Sequence, residues 1–257
     1  MNHQDNIWAN IKKWHPLTEI PEANNSVSSG SNSGNVVAKP VDKSSIVQAP
    51  NPLLQGVSPV LIKLLWDILV YLYSSVSIRI KRLGISARAY EQAKIEGCEK
   101  GLITESSAGS TVYLVPPEKT FQMFNMPCPY DRNISTEHSF YVGLNSFLLS
   151  KNARFKNVYP EYRRGKQGRT SDIVTVVHDG TMEAYEVTLN TTNVLANAAK
   201  YENTSFVRII FLCRNYKLRE AVKACCREGG LNPNLLAKID YMHFSQLLQC
   251  QRKMSLY

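Results

Sequence analysis

Apolar residues recur with a helical period at Leu61, Leu64, Leu65, Ile68, Leu69 and Leu72, which predicts a helix with one buried face. Ser58-Pro59 supplies its cap and a first-turn proline. A second, shorter helix carries Val76, Ile80 and Leu83 and stops at Gly84. Ser86 caps a third that runs to Lys100, with Gly101 as its stop. Leu102–Glu105 and Thr111–Val115 then read as two short strands around a polar turn, Ser106–Ser110.

The second half of the chain alternates helix and strand. Phe140, Leu144, Phe147 and Leu148 mark a helix over Glu137–Ser150, and Phe155–Tyr159 reads as a short strand. A Gly/Arg loop follows, Arg163–Arg169. Ile173–Val177 and Ala184–Leu189 form a strand pair about the turn His178–Thr181. A helix from about Thr192 to Tyr201 leads into a nearly all-apolar strand, Phe206–Cys213. Helix, strand and helix close the pattern at Leu218–Cys226, Ile239–His243 and Ser245–Lys253. The beginning differs. Asn24–Gly34 is NNSVSSGSNSG, too polar to bury a core. Three segments follow: a disordered arm over 1–50, a helical unit over 51–126 and an α/β unit over 127–257. Within the arm, Trp8, Ile11 and Trp14 form a stripe at helical spacing. It suits docking on a protein partner, or packing on its own protein.

Charge sharpens this division. The 257 residues carry a formal net charge of +9, and residues 1–50 contribute none of it, with four basic and four acidic side chains. A polyanion is therefore the first partner to consider for the remainder. No charged-then-apolar leader pattern opens the chain. Its most apolar stretch, Val60–Tyr73, is short for a bilayer and contains Lys63 and Asp67. A cytoplasmic protein without a membrane partner is expected. The six cysteines show no CxxC spacing, which argues against structural zinc and for free, mostly buried thiols.

Three helices followed by a hairpin match the winged-helix pattern, in which the third helix enters the major groove and the hairpin touches the backbone. Arg79, Lys81, Arg82, Arg88 and Lys94 are its candidate DNA contacts. Residues 51–125 carry eight basic and six acidic groups, with Glu91, Glu96 and Glu99 on the third helix, so a protein-binding role is also open. The stronger basic cluster comes later. Lys151, Arg154, Lys156, Arg163, Arg164, Lys166 and Arg169 stand with one acid, Glu161, and are interleaved with Tyr159 and Tyr162. Such a loop would hold phosphates beside Asp172.

The acids carry the chemistry. Asp172 begins one strand and Glu186 lies inside its partner, where a carboxylate is costly unless it is paired or binds a cation. A tight hairpin can aim both at one open end. Glu137 could add a third oxygen ligand, with His138 as its substitute. Convergent carboxylates suit Mg²⁺, which polarises a phosphodiester and generates hydroxide. His178 and Asp179 fit simple turn roles.

These pieces bring a resemblance into view. With Glu137 on the first helix, Ser171-Asp172-Ile173 and Glu186-Val187-Thr188, the second half resembles the PD-(D/E)XK, restriction-endonuclease-like superfamily. Together with the SSVSIRIKRLGIS, EKGLI and EHSFYVGL phrases, residues 56–213 resemble the C-terminal extension of HerA-like, DNA-translocating ATPases of plasmids and archaea. The resemblance implies a winged helix joined to an αβββαβ nuclease-like domain, an α+β or α/β chain overall. It further implies Mg²⁺ at Asp172, Glu186 and Glu137, and a role in plasmid or mobile-element DNA processing. The family's catalytic lysine is replaced by Thr188, which can donate only a neutral hydrogen bond. Lys200 on the following helix, or Lys166 in the loop, could substitute. The chain has no Walker A motif, so the motor would be a separate partner. Three functions stay open: a metal-dependent deoxyribonuclease, a non-catalytic adaptor for DNA or a translocating ATPase, and a transcription regulator.

Overall fold

The computed structural model describes residues 54–131, 133–163 and 170–247. The docking stripe at Trp8, Ile11 and Trp14 and the arm over 1–50 lie outside them. The chain divides into two units, Met1–Val57 and Ser58–Tyr257, and the fold below is that of the second.

Three helices come first: α1 (Pro59–Val70), α2 (Val76–Leu83) and α3 (Ala87–Glu99). The expected punctuation operates locally. Ser58 Oγ accepts the Leu61 amide at 3.2 Å, and Ser86 Oγ that of Ala89 at 3.1 Å. Gly84 ends α2 at φ 63°, where a side chain would be strained. The periodic leucines of α1 are buried. Strands β1 (Thr104–Ala108) and β2 (Thr111–Val115) pair antiparallel around Gly109-Ser110. The turn is tighter than the polar run Ser106–Ser110 suggested. Ser106 is a buried strand residue whose hydroxyl bonds Glu137 and Tyr141. A short helix, α4 (Glu118–Met123), follows without a sequence signal of its own.

Helix α5 (Thr136–Ser150) then packs on a five-stranded sheet. Its strands are β3 (Phe155–Arg163), β4 (Thr170–Val177), β5 (Met182–Thr188), β6 (Arg208–Cys213) and β7 (Ile239–His243), side by side in that order. The first two pairings are antiparallel and the last two parallel. Between them run α6 (Val194–Ala199), α7 (Tyr216–Glu228) and α8 (Pro233–Leu236). β3 continues past the expected Tyr159 through Pro160, which an edge strand tolerates because one side needs no donor.

Both faces of the sheet are covered. Val174, Ala184, Ile209, Phe211 and Cys213 share one core with Val194, Ala198 and Tyr201 near α6 and Val222 and Cys226 on α7. Buried residues of opposite parity, among them Ile173, Tyr185, Ile210 and Leu212, face the other side. α5 is buried on more than one face and joins the helices to the sheet. Phe140 meets both Tyr73 and Tyr113, with ring centroids 5.5 and 5.8 Å away. At Gly143 an added Cβ would lie 2.0 Å from the Tyr73 hydroxyl, so the absence of a side chain permits this approach.

The architecture is thus mixed α+β, with a two-stranded and a five-stranded sheet. Among the described residues no helix is long and apolar enough to cross a membrane. Five cysteines are free: Cys213 and Cys226 are buried, Cys128 and Cys225 partly buried and Cys98 exposed. The thiols are less uniformly buried than expected, because Cys98 lies on the outer side of α3 while its neighbour Gly97 faces the core. Cys250 lies outside the described residues.

Candidate active site

Ile173 pairs with Tyr185 across β4 and β5. One step further, at the end of this pairing, stand Asp172 and Glu186, and directly opposed residues of antiparallel strands share a face. The end in question is the carboxyl end of the parallel strands β5 and β6, where open α/β sheets place their ligands. Asp172 remains partly open, with 22% of its side chain exposed, and its Oδ2 accepts the Val187 amide at 2.8 Å. Glu186 is 1% exposed.

Two consecutive residues at the end of α6 hold Glu186. The Lys200 ammonium donates to Oε2 at 2.7 Å, and the Tyr201 hydroxyl donates to Oε1. Ser171 Oγ lies 2.9 Å from the same phenolic oxygen. The phenol has one proton and the carboxylate takes it, so the serine donates to the phenol. Burial, and then the negative charge of Asp172, push the Glu186 carboxyl up to about 7, with Lys200 and Tyr201 opposing them. Burial and the adjacent Glu186 charge hold the Tyr201 phenol far above its ordinary range, so it remains a donor.

His138 completes the group. It sits in the first turn of α5, where Ser135 Oγ caps its amide at 3.2 Å, and its Nε2 lies 3.3 Å from Asp172 Oδ1. Burial works to lower its pKa, but the hydrogen bond to Asp172 and the surrounding acids outweigh it and the imidazole is raised. Glu137, expected as the third oxygen ligand, is committed elsewhere. Its Oε1 accepts from Ser106 Oγ at 2.5 Å and from Arg214 Nη1 at 3.1 Å. Successive helical side chains diverge by about 100°, so the turn that aims His138 at Asp172 aims Glu137 at the hairpin. Thr188 also turns inward, its hydroxyl donating to the Glu186 carbonyl at 3.2 Å.

Among the described residues no group of three or more His, Cys, Asp or Glu side chains is disposed to hold a metal ion. The acid pair itself offers hard oxygen donors, a partly open carboxylate and a compensating cation. That set fits Mg²⁺ bound through two carboxylates and completed by water and substrate oxygens. Asp172 and Glu186 would hold it.

The basic residues differ in burial and in the acids that hold them. Arg79 is fully buried. Its guanidinium donates to Asp67 Oδ2 at 2.7 Å and to the carbonyls of Asp67, Tyr71 and Leu72. A phosphate contact from Arg79 is therefore excluded by burial. Arg82 pairs with the same aspartate at 2.5 Å and lies over the Tyr71 ring, and Lys94 is held by Glu91 at 2.8 Å and Glu105 at 2.6 Å. Lys81, Arg82 and Arg88 are exposed, Arg82 while paired with Asp67. The hairpin expected to touch DNA backbone is anchored on its inner side through Ser106 and through the Gly109 amide, which donates to the Arg214 carbonyl at 3.3 Å.

In the later cluster, Arg154 is committed to the buried Glu183 at 2.5 Å, while Lys151 and Lys156 are exposed. Arg163 ends β3, in register with Thr170. Arg164, Lys166 and Arg169 lie outside the described residues. His178 and Asp179 are turn residues, with Asp179 accepting the Thr181 amide at 2.8 Å and His178 Nε2 3.0 Å from the Ala153 carbonyl.

Sequence reasoning missed Tyr201 and Ser171. The available signal was position: Tyr201 follows Lys200, and Ser171 precedes Asp172. No protein-family model matches this chain, and no curated protein is significantly similar to it.

Proposed function

We propose that this protein is a DNA-binding, divalent-metal-dependent nuclease, built from a winged helix and a PD-(D/E)XK-like domain. The observation that carries this reading is the Lys200 ammonium at 2.7 Å from Glu186. It supplies, from the helix after β5, the cation missing at Thr188. The order of α5, β3, β4, β5, α6 and β6 agrees with the αβββαβ arrangement, and α1 to α3 followed by the hairpin agree with a winged helix.

Asp172 and Glu186 would hold Mg²⁺, which when bound polarises the phosphodiester and activates water. Lys200 is suited to stabilise charge on a phosphate oxygen. His138 orients Asp172 from the side opposite the Val187 amide. Lys81, Arg88, Lys156 and the Arg163–Arg169 segment would place the DNA backbone, in a cytoplasmic setting of plasmid or mobile-element DNA processing. Incubation of plasmid DNA with the protein and Mg²⁺ or Mn²⁺ tests the reading. Nicked or linear product is expected from the wild type and not from Asp172→Ala. Intact plasmid with the wild type refutes it.

One observation favours a second reading. Each of the four carboxylate oxygens of the acid pair already faces a protein donor: Val187, His138, Lys200 or Tyr201. A closed network of this kind suits a non-catalytic adaptor that binds DNA or a DNA-translocating ATPase, and such a protein would copurify with the motor and leave plasmid intact.

A further inference from the structure

Lys200 and Tyr201 grip the two oxygens of one buried carboxylate, and they do so with different chemistry. The phenol is neutral, 3% exposed, edge-on to Phe206 at 5.6 Å between ring centroids, and bonded to Ser171 behind it. It cannot leave Oε1 without opening the core. The lysine is a flexible four-carbon stem with 14% of its side chain exposed, and its ammonium is a point charge on Oε2. One oxygen is therefore pinned, while the other carries a displaceable counter-ion.

We propose that Tyr201 is a positioning residue for a divalent cation. It fixes Oε1 and so leaves Oε2 as the ligating oxygen, and Lys200 occupies that oxygen until the cation takes it. This rests on the metal reading above and assigns the pair opposite effects. Hydrogen-bond partners that orient ligating carboxylates support metal affinity, and losing one weakens binding by about 10–100-fold. A competing ammonium opposes affinity, and removing it strengthens binding.

The test is Mn²⁺ binding to the full chain without DNA, read from the free-ion electron paramagnetic resonance signal at pH 8. Wild type, Tyr201→Phe, Ser171→Ala and Lys200→Met are compared, with folding checked by circular dichroism. Tyr201→Phe should bind about tenfold more weakly or worse. Ser171→Ala should shift the same way by less, and carries the test if Tyr201→Phe does not fold. Lys200→Met should bind several-fold more tightly. Equal binding by wild type, Tyr201→Phe and Ser171→Ala overturns the positioning role and leaves the metal site standing. Weaker binding by Lys200→Met overturns the counter-ion role. No binding by the wild type removes the metal reading and this inference with it.

Discussion

Asp67→Ala strands the buried cation Arg79 and also releases the exposed Arg82. Asp67 is 4% exposed and Arg79 wholly buried, and they meet at 2.7 Å between α1 and α2. Burial lowers the Arg79 pKa, but a guanidinium stays protonated in proteins, so loss of Asp67 leaves a charged group inside the protein. Three backbone carbonyl contacts would remain, at 2.8 to 3.0 Å. Breaking a buried pair from one side costs about 3–5 kcal/mol. For a unit of this size that corresponds to a fall of roughly 6–20 °C in Tm. Urea unfolding and a thermal melt would read the loss. The double variant Asp67→Ala/Arg79→Met should recover much of it, because it removes the stranded charge as well. A loss below about 1 kcal/mol for Asp67→Ala refutes the reasoning. So does an Arg79→Met protein of unchanged stability whose DNA affinity loses one unit of salt dependence, since that pattern belongs to a phosphate contact.

Two further outcomes follow from the packing and charge. Gly143→Ala should cost about 1–3 kcal/mol in chemical denaturation, since the new methyl meets the Tyr73 hydroxyl; Tyr73→Phe in the same background should return part of it. Replacing Lys81 and Arg88 by Ala, or Arg163, Arg164, Lys166 and Arg169 together, should lower the slope of log DNA affinity against log salt by about 0.9 per lost contact. Lys94→Ala should leave that slope unchanged because Glu91 and Glu105 already hold its ammonium.

What was legible in the sequence was what neighbouring residues decide. Ser58-Pro59, Ser86, Gly84 and Gly101 act within a turn of their own position, and the strand alternation of Ile173–Val177 and Ala184–Leu189 needs no distant partner. Arg79 was misjudged because its fate is set by Asp67 on another helix, twelve residues away. A clue existed: an aspartate inside the apolar run of α1 needs a cation. Glu183 offers the same lesson. It is as buried as Glu186, yet three residues away on a strand, hence on the opposite face, and so requires a partner of its own in Arg154. Ser106 was taken for a turn because its hydroxyl partners, Glu137 and Tyr141, lie over thirty residues away. The approach of Lys200 to Glu186 was readable because helix length and chain return constrain where it can reach. The inward turn of Tyr201 depends on the packing of Phe206 and Ser171 around it.

The first turn of α5 is a two-armed lever. Glu137 grips the hairpin through Ser106, and His138, the next residue, grips Asp172. Adjacent residues of one hydrogen-bonded turn thus hold the hairpin on one side and the acid pair on the other. The hairpin and the candidate acid pair therefore share one anchoring point, the first turn of α5.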